Sequence, residues 1–414
     1  MNAFEYRRGQ LMAERVPVQA LAERYGTPLY IYSLAHLRAQ YRALAQALAP
    51  VRPLLCYSMK ANSNSAVLRA FLEQGAGLDI VSGGELYRAM RAGADPSKIV
   101  FAGVGKTAAE IDYALRCGIL FFTVESEAEA RRISARAVRL RRRARIAFRV
   151  NPDVDPQTHR YISTGKQENK FGLDLERARR ACRLAARLPN VDLVGLHMHI
   201  GSQILSVQPF AAALRKVLDL CAGLRARHPA FRWLDIGGGI GIAYRPGQRP
   251  LDPAAYAARL LPGLRRSGLQ IVLEPGRFLV GNAGLLVCRV QYLKPGAGKT
   301  FVVADAGMND LIRPALYEAY HEVVPVAATR GRLFGDLVGP VCESGDFIAQ
   351  ERELPRVREG DLLAIRSAGA YGFAMASNYN SRPRPAEVLV DGAKARLIRK
   401  RETWEDLVRG EVVR

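Results

Sequence analysis

The sequence predicts an α/β protein: a (β/α)8 barrel of the TIM type, followed by a C-terminal β domain of sandwich or barrel-like form. Three observations lead there. Short β-rich runs alternate with segments of helical period through the first 280 residues or so, which is the signature of strand-helix units. The chemically distinctive residues fall at or near the C-terminal ends of those runs, and a barrel gathers these ends at one mouth. From about Gly281 the rhythm changes to β-rich runs broken by turn signals, as in LLVCRVQYLKPGAGKTFVVADAG and PAEVLVDGAKARLIRK.

Taken in order, the strand candidates are residues 54–60, 77–81, 99–102, 119–124, 145–150, 193–199, 232–236 and 270–274. Eight strands with helices between them favour closure into a barrel over an open sheet. The helix candidates, residues 65–74, 84–92, 107–117, 127–140, 175–187 and 209–227, repeat their apolar positions at three- and four-residue spacing. The opening arm has no strand-helix rhythm and is assigned to the β domain. The expected division is therefore a barrel domain over 25–280 and a β domain over 1–24 plus 281–414.

At 414 residues and 49% hydrophobic content the chain buries a large core. No run of about 18 uncharged apolar residues exists, and the start, MNAFEYRRGQLMAERVP, lacks the apolar stretch of a secretory signal. A cytoplasmic protein without a membrane partner is expected. The six cysteines are scattered, with no C-x-x-C pair to suggest zinc or redox chemistry. A formal charge of +22 raises nucleic-acid binding. The basic residues are nevertheless spread along helices, as in EAEARRISARAVRLRRRAR, where they interleave with alanine and leucine. That spread reads as a solvated surface, so no nucleic-acid partner is expected.

CYSMKANSN, Cys56 to Asn64, ends the first strand on an amine. Alternation puts Cys56, Ser58 and Lys60 on one face and Tyr57 and Met59 on the other. A structural lysine would snorkel to water or meet a carboxylate. A lysine desolvated in a cavity has a second use, as the nucleophile that binds a carbonyl as a Schiff base.

HMHIGSQ puts His197 and His199 on one face of the sixth strand. H-x-H is a metal-ligand pattern, but the other histidines, His36, His159, His228 and His321, lie away from the mouth, and no metal is expected. An imidazole there could instead stack on a flat ring. DIGGGIG, Asp235 to Gly241, exposes backbone amides after the seventh strand, where barrels bind phosphate. EPGR, Glu274 to Arg277, ends the eighth strand. Gly276 offers another amide and Arg277 a fork for a carboxylate. A carboxylate beside a pyridine nitrogen would keep that ring protonated and electron-withdrawing. Lysine, imidazole, glycines and glutamate together fit pyridoxal phosphate.

YSMKAN, HMHIGSQI, DIGGGIG, EPGRFLVGNAG, DAGMNDLIRPALY, GPVCESGD and GAYGFAMASNYNSRPRPAEVLV, taken together, resemble the diaminopimelate decarboxylase family, barrel enzymes of pyridoxal phosphate that make L-lysine. Met59 departs from the valine common in relatives, on the face turned from the cofactor. The resemblance implies that Lys60 holds the cofactor aldehyde, His199 stacks on the ring, and Gly238, Gly239, Gly276 and Arg277 hold the phosphate. Ser202 and Asp79 would also line the cofactor site, with Glu274 on the ring nitrogen. Arg277, Arg313, Tyr317, Glu343 and Tyr371 would bind substrate, Tyr371 also reaching the cofactor, and Cys342 would return a proton. Cys342 and Glu343 would come from the second copy of a homodimer with shared sites.

The retained amino acid centre of diaminopimelate carries a carboxylate, suited to Arg277 and Arg313, and an ammonium, suited to Glu343. A decarboxylase of ornithine, arginine or lysine is the nearest alternative, and it has no such carboxylate to pair two arginines. An alanine racemase would place arginine at the ring nitrogen, against Glu274. A non-catalytic regulatory homologue would not need Lys60 and Cys342 together.

Overall fold

The computed structural model describes residues 3–155, 171–225 and 227–412, so His159 lies outside the described residues. The described residues fall into two compact units. One is drawn from Gln40–Ile242 and Arg249–Phe278, the other from Met1–Ala39, Ala243–Gln248 and Leu279–Arg414.

The first unit is a closed barrel of eight parallel strands, Leu54–Ser58, Gly77–Ile80, Ile99–Phe101, Phe121–Val124, Ala144–Val150, Val191–Met198, Trp233–Asp235 and Gln270–Leu273. Each of the eight expected runs is one of these strands. The eighth closes on the first through Val272↔Leu54 and Leu273↔Leu55. Cys56, Val100, Phe121, Ala147, Val194 and Val272 share one buried cluster, so the barrel is filled with side chains and is not a pore. Helices start where the sequence supplies a capping oxygen. Asn64, Ser82, Thr107, Ser126, Asp174 and Asp252 each accept an amide from the first turn of the helix that follows.

The second unit is built on a nine-stranded mixed sheet. Its long strand Gly284–Pro295 pairs antiparallel with Leu29–Ser33, Thr300–Ala304 and Leu362–Ile365. Leu29–Ser33 also pairs parallel with Ala386–Asp391, so an N-terminal strand sits inside a sheet otherwise made of C-terminal ones. The arm that shows no rhythm in sequence forms three short strands, Phe4–Arg7, Gln10–Ala13 and Val16–Pro17, and a helix, Val18–Tyr25. Leu11, Val18 and Leu21 bury against Leu29, Ile31, Leu285 and Val388. The N-terminal contribution to this unit therefore runs past residue 24, to Ala39.

Candidate active site

Lys60 does not end the first strand. The strand stops at Ser58, and Lys60 lies in the single 3-10 turn Met59–Ala61, which the Tyr57 hydroxyl closes by donating to the Asn62 carbonyl at 2.8 Å. The expected strand overruns because apolar alternation continues through the turn. Lys60 Nζ and the Ser58 hydroxyl nevertheless converge on one oxygen, Oδ2 of Asp79, at 2.8 and 2.7 Å. Asp79 has no exposed side-chain surface, whereas 38% of the Lys60 side chain is open, so the amine is both anchored and reachable. Burial and the Glu274 charge raise the Asp79 pKa, and Lys60 opposes them.

Glu274 follows the eighth strand and is buried. Its Oε2 lies 3.1 Å from Nε2 of buried His197, and Oε1 has no hydrogen-bond partner among the described residues. Burial pushes the Glu274 pKa up. The opposing pull of the His197 bond, with Lys60 and His199, is larger and holds it well below the usual carboxylate range. A buried anion with one oxygen bare calls for a donor.

His199 sits two residues further along than His197. Its Nδ1 accepts the Gly238 amide at 3.2 Å, so its ring proton is on Nε2. Burial, then the charges of Arg149 and Lys60, push its pKa well below the ordinary value and leave a neutral flat ring. The H-x-H metal alternative would need both histidines on one ion. The structure divides them, one to Glu274 and the other to Gly238; the donor cluster that forms is His197, Asp235 and Glu274, within 4.8 Å.

Gly238 is required by packing. A Cβ there would stand 2.1 Å from the Glu274 carbonyl oxygen. Gly239, at φ +108°, adopts a conformation that side chains disfavour and would meet the Gly201 carbonyl at 2.4 Å. Gly276 lies against Ser58 and Ala61, with room for a Cβ only at 3.2 and 3.3 Å. Buried Arg277 donates to the Ser202 hydroxyl through Nη2 at 3.1 Å. Lys60, Asp79, His199, Ser202, Gly238, Gly239, Glu274, Gly276 and Arg277 thus all belong to the barrel unit, at the C-terminal ends of its first, second, sixth, seventh and eighth strands.

The other expected residues belong to the β unit. Arg313 and Tyr317 bound one short helix, Arg313–Tyr317, with Arg313 buried. Cys342 and Glu343 are exposed, and the Cys342 amide donates to Asn380 Oδ1 at 2.8 Å. Tyr371 is half-buried at φ +57°, a left-handed conformation outside glycine. Sequence reasoning missed the contacts of His197 with Glu274 and of Ser58 with Asp79. Glu85 was missed too: it accepts the Val81 amide at 2.8 Å, and burial pushes its pKa up to about 7.

Comparison with known proteins decides what this geometry serves. The profile described as the pyridoxal-binding domain of pyridoxal-dependent decarboxylases matches residues 34–281. A diaminopimelate decarboxylase of Pseudomonas aeruginosa is 50% identical over 415 residues, covering 99% of each chain. The chain belongs to the diaminopimelate decarboxylase family. Among solved structures, the diaminopimelate decarboxylase of M. jannaschii in complex with L-lysine matches with a TM-score of 0.95 at 37% identity, over 100% of this chain and 98% of that one. The Helicobacter pylori enzyme, also complexed with L-lysine, matches with a TM-score of 0.91 at 41% identity, over 94% and 98%.

As a pyridoxal-dependent decarboxylase, a carboxy-lyase, the protein uses pyridoxal phosphate. The barrel residues fit that group. An anchored amine is open to an aldehyde at Lys60, and Glu274 Oε1 awaits a ring N–H. His199 is neutral and planar.

Proposed function

We propose that this protein decarboxylates meso-2,6-diaminopimelate to L-lysine and carbon dioxide. The observation that supports it most is that the chain, 50% identical along its whole length to a diaminopimelate decarboxylase, holds an open amine on a buried carboxylate at 2.8 Å. Bound pyridoxal phosphate supplies an electron sink for the pair left on carbon when carbon dioxide departs. With the cofactor bound, Lys60 would hold its aldehyde, and Asp79, 2.8 Å from the Lys60 amine, would take that amine while the substrate occupies the aldehyde. Glu274, kept ionised, holds a proton on the ring nitrogen. His199, neutral and planar, would cover a face of the ring. Gly238, Gly239, Gly276, Arg277 and Ser202 hold the phosphate side, with Tyr371 as a further cofactor contact.

Arg277 and Arg313 pair with the retained carboxylate, Glu343 with its ammonium, and Tyr317 and Tyr371 complete the substrate contacts. Cys342 carries the proton that replaces carbon dioxide, since a thiol donates readily near neutral pH. On this reading the barrel is the cofactor-binding domain and the β domain supplies substrate contacts. Cys342 and Glu343 serve the site of a second copy, in a homodimer. Exposure of both residues supports that assignment. Six free cysteines suit a reducing, cytoplasmic setting, and no helix among the described residues is long and apolar enough to cross a membrane.

The test is a substrate panel on the purified holoenzyme, read by product identity. Diaminopimelate should yield L-lysine, and ornithine, arginine and lysine should react far more slowly. Equal or faster turnover of any of these three would defeat the substrate assignment.

A further inference from the structure

Arg313 opens its helix with 5% of its surface exposed, and a cation that deep needs partners of defined geometry. Its guanidinium carbon stands 4.8 Å from the ring centroid of Tyr244, and its Nη1 lies 2.8 Å from Nε2 of His321, which is fully buried. A guanidinium only donates, so Nε2 presents its lone pair. The ring proton is then on Nδ1, which donates to the Arg366 carbonyl at 2.8 Å. The two partners together select one tautomer.

The imidazole is itself pinned. Arg352 donates to the His321 carbonyl at 2.6 Å, and Tyr244 meets the ring edge-on at 5.3 Å and 81°. The Arg366 amide donates to the Glu322 carbonyl at 2.9 Å, extending the antiparallel pairing of Val323 with Ile365. The histidine is thus a rigid outgrowth of the sheet.

We propose that His321 is a positioning residue for substrate binding: its unprotonated Nε2 fixes the guanidinium fork of Arg313 toward the carboxylate that the reaction retains. This rests on the reading that Arg313 binds that carboxylate. A carboxylate in place of His321 would orient the fork as well but would cancel its charge. A neutral acceptor orients it and leaves the charge for substrate.

The holoenzyme tests this with three ligands. Diaminopimelate and L-lysine carry the retained carboxylate; cadaverine, the diamine left when lysine loses its own, does not. His321→Ala should raise the KM for diaminopimelate and the inhibition constant of lysine by about tenfold, as for loss of a hydrogen bond to a charged group. It should leave cadaverine within about twofold, and kcat should fall less than KM rises. His321→Gln, which keeps a carbonyl acceptor, should recover most of the lysine affinity. If the alanine variant does not fold, His321→Leu, which fills the space without an acceptor, replaces it.

Unchanged lysine affinity without the acceptor, or equal weakening of lysine and cadaverine, would overturn the proposal. Nitrogen NMR of the imidazoles in the unaltered holoenzyme decides independently: a protonated Nε2 on His321 overturns it, and a protonated Nδ1 supports it. Arg313→Ala separates the two readings. If it leaves lysine affinity intact, the role of Arg313 fails; if it weakens lysine while His321→Ala does not, only the role of His321 fails.

Discussion

Gly238→Ala probes how closely the glycine loop and the eighth strand are fitted. The added Cβ would stand 2.1 Å from the Glu274 carbonyl oxygen, a backbone atom that no side-chain rotation can relieve. Reaching an ordinary contact near 3.4 Å takes about 1.3 Å of backbone movement, shared between the loop and the strand end. That movement lengthens or breaks the 3.2 Å bond from the Gly238 amide to His199 Nδ1, freeing the imidazole to turn. It also shifts Glu274, whose amide donates to the Gly237 carbonyl at 2.8 Å. Overpacking of this kind costs about 1–3 kcal/mol of stability. Misplacing catalytic groups by about 1 Å costs roughly a hundredfold in rate. The assays are thermal melting, pyridoxal phosphate titration and steady-state decarboxylation. A variant with unchanged cofactor affinity and kcat would refute the claim that this loop sets the position of His199 and Glu274.

Two further perturbations address the charged groups of the barrel. Lys60→Ala should lower kcat by about a thousandfold or more and abolish the visible absorbance of the lysine-bound cofactor, because no other amine among the described residues pairs with Asp79; full activity would defeat the mechanism. Glu85→Gln should stabilise the protein at pH 8.5 and not at pH 4. The Glu85 pKa is raised to about 7 from the ordinary 4.5, so the fold binds its proton more tightly than the unfolded chain does, and its stability falls as pH rises from 4.5 through 7. The ceiling is about 3 kcal/mol, which partial exposure reduces to about 1–2 kcal/mol, and equal melting shifts at both pH values would refute it.

The barrel was legible because each strand is a short apolar run bounded by turn residues and followed by a capped helix; those are local signals. Lys60, Glu274 and the glycines were legible for a related reason: polar or small residues at strand ends break the pattern that a core requires. The arm before Leu29 was not legible. Its Leu11, Val18 and Leu21 are buried only through a sheet whose other strands lie some 250 residues or more further along, and no local period records such a pairing. His321 was illegible for the same reason. It stands in an irregular segment, and its value comes from Arg313, Arg352 and Arg366, each brought to it by the fold. His197 was read as a metal candidate because spacing alone cannot tell an imidazole that meets an ion from one that meets a carboxylate.

That last distinction bears on how the barrel keeps one carboxylate charged among three. Asp79, Asp235 and Glu274 are all buried, and like charges so placed cannot all ionise at ordinary pH. Burial and the Glu274 charge raise the pKa of Asp79 and raise that of Asp235 well above the usual range. Glu274 alone of the three is driven down, by the His197 bond at 3.1 Å first and by Lys60 and His199 after it. The ionised carboxylate is thereby Glu274, whose Oε1 has no hydrogen-bond partner among the described residues. His197 is what breaks the symmetry among the three acids. A carboxylate that must hold a proton on a pyridine nitrogen needs a neighbour that donates without itself competing for that nitrogen, and a buried imidazole fixed by one bond meets the requirement.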